Sequence, residues 1–532
     1  MIIDDNRFFI LTDIAYKRNK KHMNTKRLSI NLISNIVQFA ISLIISFFFT
    51  PYFVSAVGEV GYSFYSIACT CISYFTVITS AVTSMASRYI TIAYHNGEKE
   101  KVQQYYSTVF YATSLISFLL GIIIVIFVCR IDTLLDIPPE LVASVQILFL
   151  LVLFSGLIAT VCSVFSSTVF CLNRLDIKSI ALIIISVIKV AVLVVLLYFF
   201  EADIVYLGIS YSVSVVLEAL FYYFSTKKLM PEIIVKPKYF RKELVSELVG
   251  VGIWNSINQV NTILLNGLDL IIANVFVSST LAGALSISKT IPNQLVTLIL
   301  MLANIYLPSL TIAYAKKNKD ELMGVFKTSF DILGFGTSIV IAGFIASGRQ
   351  FFELWMPTIN TNVLYWTSIL AMLPLVFNAS TQAMGNAALL AAKLKMPVLI
   401  TFGRGVVGVA LIFVLVKATS LGVYAIVGVS SCFTILYDLL FSTPYAAYCS
   451  GLKKSFFYKS KLKFILNVAI LSAVFLLVLK LVPITGWGLF IIIAVGCAVF
   501  GAIFNFFYYF NRDSRKAMLH RIKSVLIKGD KK

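Results

Sequence analysis

The sequence predicts an all-α polytopic membrane protein that crosses its bilayer about fourteen times, as two pseudo-symmetric six-helix lobes plus two extra C-terminal helices. Three observations carry that expectation. The chain of 532 residues is 59% hydrophobic and only 13% charged, too little polar surface to cover a water-facing globule. Its apolar runs are long and unbroken, and within hydrocarbon only helices and closed barrels satisfy their own backbone groups, so run length selects helices. A charged segment near residue 91 also recurs near residue 311, which marks an internal repeat.

A helix needs about 20 residues to cross the hydrocarbon. On that length, spans fall near 28–57, 62–94, 107–129, 141–172, 179–200, 204–224, 248–277, 281–314, 325–347, 362–389, 397–416, 422–447, 464–481 and 488–510. The corresponding organisation is an N-terminal segment 1–27, an N-lobe 28–226, a basic linker 227–247, a C-lobe 248–447, two further spans within 448–510 and a basic tail 511–532. Lysine and arginine set orientation. They crowd the connections after spans 6, 8 and 12 and the tail, whereas the opposite loops hold only Arg130, Arg349, Lys417 and Lys480. Both termini are therefore expected in the cytoplasm, with the chain multi-pass in the cytoplasmic (inner) membrane. This also accounts for the net charge of +20 without nucleic acid. Met23 reads as a candidate natural start, which would make 1–22 an upstream extension. In the tail, Met518, Ile522, Val525 and Leu526 share one face among basic residues, as suits a helix lying on anionic headgroups; a solvated tail fits equally.

The repeat aligns Thr91–Phe110 with Thr311–Phe330 without gaps, sharing Thr-Ile-Ala-Tyr, a lysine, a threonine and a phenylalanine. Six spans per repeat is an even number, so the halves share one orientation, and a cavity is expected between two lobes.

Ionisable residues inside spans are costly and are functional candidates by default. Lys189 with Glu218 at similar depth, and Arg404 with Asp438 less closely matched, are cation–acid pairs in both halves, which fits structural ion pairs. Asp269 and Lys289 lie at similar distances from their shared turn and have no counterpart in the first half. They are the better functional candidates, as a coupling or ion pair. Arg88 in span 2 has no obvious acid at its depth. It could meet a phosphate or pyrophosphate, or snorkel to the headgroups. Asn255, Asn258 and Gln259 share one helical face and suit a polar cavity wall; interhelical hydrogen bonding is the blander role.

Eight cysteines lie mostly in apolar runs and three histidines lie far apart, so no metal site is expected. The chain has no Walker loop, and its outer loops are short. Asp132, Asp136 and Glu140 there show no acid/base pattern. An enzyme is not expected, nor a cofactor, and any energy would come from H+ or Na+ coupling or from the substrate gradient.

The segments "SRYITIAYHNGEKEKVQQYYSTVF", "LLNGLDLIIANVFVSS" and "ALSISKTIPNQL" resemble the Wzx-type O-antigen and polysaccharide flippases. These belong to the superfamily of multidrug and toxin extrusion exporters and the lipid II flippase. The resemblance spans about Met23 to the end of the last helix. It implies alternating-access translocation of an undecaprenyl-pyrophosphate-linked oligosaccharide for surface polysaccharide synthesis. The implied partners are that lipid-linked glycan, membrane lipids and glycan polymerase machinery. It further implies cavity cations near the pyrophosphate, which match Arg88 in "SRY" and Lys289 in "SISKT". The alternative is an ion-coupled small-molecule or multidrug antiporter. Spans 1 to 4 hold no interior carboxylate, which favours an anionic substrate.

Overall fold

The computed structural model describes residues 25–510, apart from 392, 394, 483 and 485, together with Arg512 and Arg515. The extension read at 1–22 and the amphipathic face read in the tail lie outside the described residues. Every regular element among those residues is helical. The helices are α1 (25–57), α2 (59–95), α3 (Lys99–Cys129), α4 (Val142–Cys162), α5 (Leu175–Phe199) and α6 (Val205–Leu229). They continue as α7 (Lys242–Asn266), α8 (Asp269–Phe276), α9 (Ser279–Ser288), α10 (Thr290–Asn304), α11 (Leu307–Ala315) and α12 (Lys319–Trp355). The last are α13 (Thr361–Asn378), α14 (Lys395–Ala418), α15 (Val423–Tyr437), α16 (Thr443–Ser450), α17 (Lys454–Leu481) and α18 (Trp487–Tyr509).

Twelve helical stretches among the described residues are long and apolar enough to cross a membrane. The sequence reading of fourteen exceeds this by two, and both differences have visible causes. The stretch ending at His95 is counted once, although Thr25–His95 at 71 residues would run about 107 Å if continuous. Gly58 (φ 76°, ψ 165°) breaks it, in a left-handed conformation that only glycine adopts without cost. Helix α7 is 25 residues long but carries four asparagines and a glutamine, so it falls outside the twelve.

The chain forms two compact units. The first comprises Met1–Tyr52, Ile78–Cys129 and Ser144–Asn255. Its core packs Ile90, Tyr106, Val109, Phe165 and Tyr222 with Met230, Ile233 and Leu248. A hydroxyl chain runs through it, from Tyr106 to Thr168 (2.7 Å) to Thr226 (2.8 Å), which donates to the Phe165 carbonyl. The α1 amides are used locally: Asn31 bonds Asn173 and the Asp176 amide, and Asn35 accepts from Ser179. The basic linker is docked on α3. Lys99 meets Glu232 at 2.6 Å, and the amides of Lys236 and Arg241 donate to the hydroxyls of Ser107 and Thr108.

The second unit comprises Phe53–Val77, Arg130–Ala143 and Ser256–Lys532. Its spine is α12, against which α13, α17 and α18 pack. Asn505 of α18 donates to the Phe335 carbonyl and to Ser338 and accepts from Asn467, each at 2.8 Å, so buried amides tie α17 and α18 to α12.

The 220-residue offset of the repeat runs through the structure. Thr91 and Thr311 both donate back to the carbonyl four residues earlier. Gly97 and Lys317 both adopt left-handed conformations, and the next helices start at Lys99 and Lys319. The short helices Ser166–Cys171 and Asn386–Leu390, and the helix starts at Leu175 and Lys395, keep the same offset. Gly58 corresponds to Ser278, the turn residue that caps α9. Ser66 and Ser286, also 220 apart, hydrogen bond each other at 2.5 Å, as residues on a pseudo-two-fold axis would.

Candidate functional site: an ion pair between broken helices

The second unit contains two membrane-length segments that do not run straight. The first ends α7 at Asn266 and restarts α8 at Asp269. The amides of Gly267 and Leu268 both return to the Ile263 carbonyl, which closes α7. The Gly267 carbonyl, left without a helical partner, accepts from the Tyr74 hydroxyl at 2.5 Å. A Cβ at Gly267 would meet the Ile263 carbonyl at 3.0 Å and the Tyr74 ring at 3.3 Å, so glycine is what lets the ring approach. The second segment ends α9 at Ser288 and begins α10 at Thr290. Lys289 sits at that junction, and Pro292 in the first turn of α10 brings no amide that would need a partner. Ser368 caps the Ser288 carbonyl at 2.7 Å. Irregular backbone at membrane depth persists where protein groups satisfy it, as Tyr74 and Ser368 do here.

Asp269 and Lys289 form an ion pair between these breaks, with side chains 6% and 16% exposed. Asp269 also accepts from the Leu270 amide at 2.9 Å. Both residues lie about ten positions from the turn at Ser278, so each is roughly 15 Å along its helix, half the hydrocarbon thickness. A lysine and an aspartate at that depth are tolerated because each cancels the other's desolvation.

The remaining sequence candidates are distributed as follows. Arg88 is exposed on α2 in the first unit, beside Ser87, which bonds Ser167 at 2.8 Å. Gln259 is half-buried on α7, while the side chains of Asn255 and Asn258 lie outside the described residues. On the same helix Asn261 is buried and donates to the Val398 carbonyl at 3.1 Å, an interhelical role. Lys189 lies over the Tyr211 ring at 5.3 Å, and Glu218 lies beside Tyr222. Asp136 is held through its backbone by Asn274.

The expected Arg404–Asp438 pair does not form. Arg404 instead stacks on the Tyr437 ring at 4.6 Å. Asp438 pairs with Lys461 at 2.5 Å, and Lys461 also donates to Thr381 (2.9 Å) and the Phe377 carbonyl (3.3 Å). Three donors meet three acceptors, which is how a lysine only 2% exposed is accommodated. Asp438 opens a π-helical turn, Asp438–Ser442, between α15 and α16. By run length Lys461 falls in the basic connection after span 12, among other lysines. The signal that finds it is spacing: Phe457, Lys461, Phe464, Val468, Leu471 and Phe475 form one helical stripe, all buried.

Residues 28–311, more than half of the chain, match the sequence pattern of a family described as polysaccharide biosynthesis protein. The chain belongs to the polysaccharide biosynthesis protein family. This family member is 25% identical over 509 residues to the uncharacterized membrane protein EpsK of Bacillus subtilis (strain 168), covering 94% of this chain and 99% of that one. Its fold is that of the MATE and MurJ proteins. A multidrug resistance MATE family transporter of the MOP superfamily, inward-facing, superposes with TM-score 0.63 at 15% identity over 80% of this chain and 98% of that chain. The lipid II flippase MurJ in an inward closed conformation gives TM-score 0.63 at 17% identity over 89% and 97%. Family and fold together make the protein a multi-pass membrane member of a polysaccharide biosynthesis system.

Proposed function

We propose that this protein translocates an undecaprenyl-pyrophosphate-linked oligosaccharide across the bacterial cytoplasmic membrane by alternating access, for O-antigen or a related surface polysaccharide. The observation that carries the reading is the Asp269–Lys289 pair held at half the membrane depth between two broken helices. In this reading Lys289 is a cation for the pyrophosphate, Asp269 is its gate and the site where H+ or Na+ would couple, and Arg88 is a second cation. Asn255, Asn258 and Gln259 offer amides to sugar hydroxyls. The lobes 28–226 and 248–447, the linker between them and cytoplasmic placement of both termini belong to the same proposal. So does supply of the flipped unit to a glycan polymerase. Family membership and the fold shared with a lipid II flippase support it.

The test is the fate of lipid-linked glycan in a strain lacking the gene. Loss of surface polysaccharide, with the undecaprenyl-linked unit accumulating on the cytoplasmic leaflet, is the expected result. Normal arrival of the unit on the outer leaflet overturns the proposal and favours a small-molecule antiporter.

A further inference from the structure

Two helices of the second unit leave the apolar layer side by side. In α12 no charge falls between Asp331 and Arg349, a run of 17 residues, or about 26 Å. In α17 none falls between Lys463 and Lys480, a run of 16 residues, or about 24 Å. Lys463 meets Asp331 at 2.9 Å, so both apolar stretches begin at one level. Lys327 and Lys459 each stand four residues further out on the same faces, about 6 Å along the axis. The headgroup zone is about 5–7 Å thick per leaflet, so both lysines stand at headgroup depth.

A recess of about 380 Å³ opens there, lined by both lysines, with Phe456 at its outer end and Gly324 and Ser460 leaving room between the helices. Lys463 is committed to Asp331 and to the Tyr509 ring at 4.5 Å. Lys327 and Lys459 are exposed and form no ion pair among the described residues. Asp320, the other acid of the lining, is 11 residues beyond Asp331, toward the aqueous mouth.

We propose that this recess binds the phosphate of an anionic phospholipid headgroup. Lys327 and Lys459 are its cations, and the lipid's acyl chains run inward along the apolar stretches that begin at Asp331 and Lys463. Two ammonium groups at phosphate depth, above a closed apolar boundary, match a ligand with one charged head and an apolar tail. A free phosphate would share the cations but leave unused the exposed apolar surface just inward of them, at Leu462 and Leu466. The inference depends on the membrane setting and not on the transported substrate.

The test uses purified full-length protein, with lipid retention followed by native mass spectrometry and thermal unfolding in detergent. Phosphatidylglycerol, phosphatidylcholine and inorganic phosphate are the probes. Phosphatidylglycerol should be retained over phosphatidylcholine, and Lys327→Gln/Lys459→Gln should weaken its binding about thirtyfold. Lys327→Arg/Lys459→Arg should keep it. Lys316→Gln/Lys317→Gln, which removes equal charge at the same end, should keep it too. Equal retention by the glutamine variant, equal loss in the control pair, or no preference for phosphatidylglycerol would overturn the site. Stabilisation by inorganic phosphate as large as by phosphatidylglycerol would overturn the lipid as its occupant.

Discussion

The Asp269–Lys289 pair invites a double-mutant cycle that separates folding from transport. Lys289→Met leaves a carboxylate of 6% exposure without its counter-ion, and Asp269→Asn leaves an ammonium of 16% exposure in the same state. Breaking a buried pair by removing one partner costs about 3–5 kcal/mol, because the other charge stays in low dielectric. Replacing both with uncharged groups of similar volume is near neutral. The structure therefore predicts two destabilised single variants and a double variant close to the native protein, a coupling energy of about 3 kcal/mol or more. Stability would be read as thermal unfolding of purified protein in detergent. Transport would be read as restored surface polysaccharide in a strain lacking the gene. The decisive sample is the double variant, which should fold and not transport. A double variant that restores both would reduce the pair to a structural tie and refute the gating argument. Single variants as stable as the native chain would refute the claim that the charges depend on each other.

Four further outcomes follow from other sites. Lys461→Met should destabilise by about 3–5 kcal/mol by stranding Asp438, with Asp438→Asn in the same chain recovering most of it in detergent melts. Gly267→Val should cost about 1–3 kcal/mol by crowding Tyr74 and the Ile263 carbonyl. Tyr74→Phe should cost about 1 kcal/mol through the uncapped Gly267 carbonyl, read by the same melts. Asn505→Leu removes three hydrogen bonds among buried groups. It should loosen α17 and α18 from α12, seen as faster proteolysis or hydrogen exchange in those helices with the first unit unchanged.

Much of the fold was legible because bilayer physics is severe. Run length gives the helices, and the charged "TIAY" loops give the repeat, since charge outside the apolar layer is where two similar helices can be told apart. Asp269 and Lys289 were legible as a pair because both count from the same short turn. Asp438 was assigned the wrong cation because its true partner lies on a helix outside the repeat, where hairpin counting has no purchase. The break at Gly267 was not read because a single glycine in an apolar segment is uninformative until Tyr74, 193 residues earlier, is seen against it. The docking of the linker was hidden for a similar reason. Its lysines describe the surface, whereas its attachment runs through two backbone amides and the hydroxyls of Ser107 and Thr108.

The bond between Ser66 and Ser286 says something about how such a site can arise. A group on a two-fold axis faces its own copy, so it must be complementary to itself. A hydroxyl qualifies, being donor and acceptor at once, while a lone ammonium or carboxylate repels its image. Three residues further along each half, the same offset pairs Cys69 with Lys289. Had both halves carried lysine there, the second cation would have faced Phe49, not an acid, at the position that matches Asp269. The charged pair is thus a product of broken symmetry. A single such pair is open to one chain whose halves mutate independently, whereas a dimer of identical halves would carry it twice or not at all.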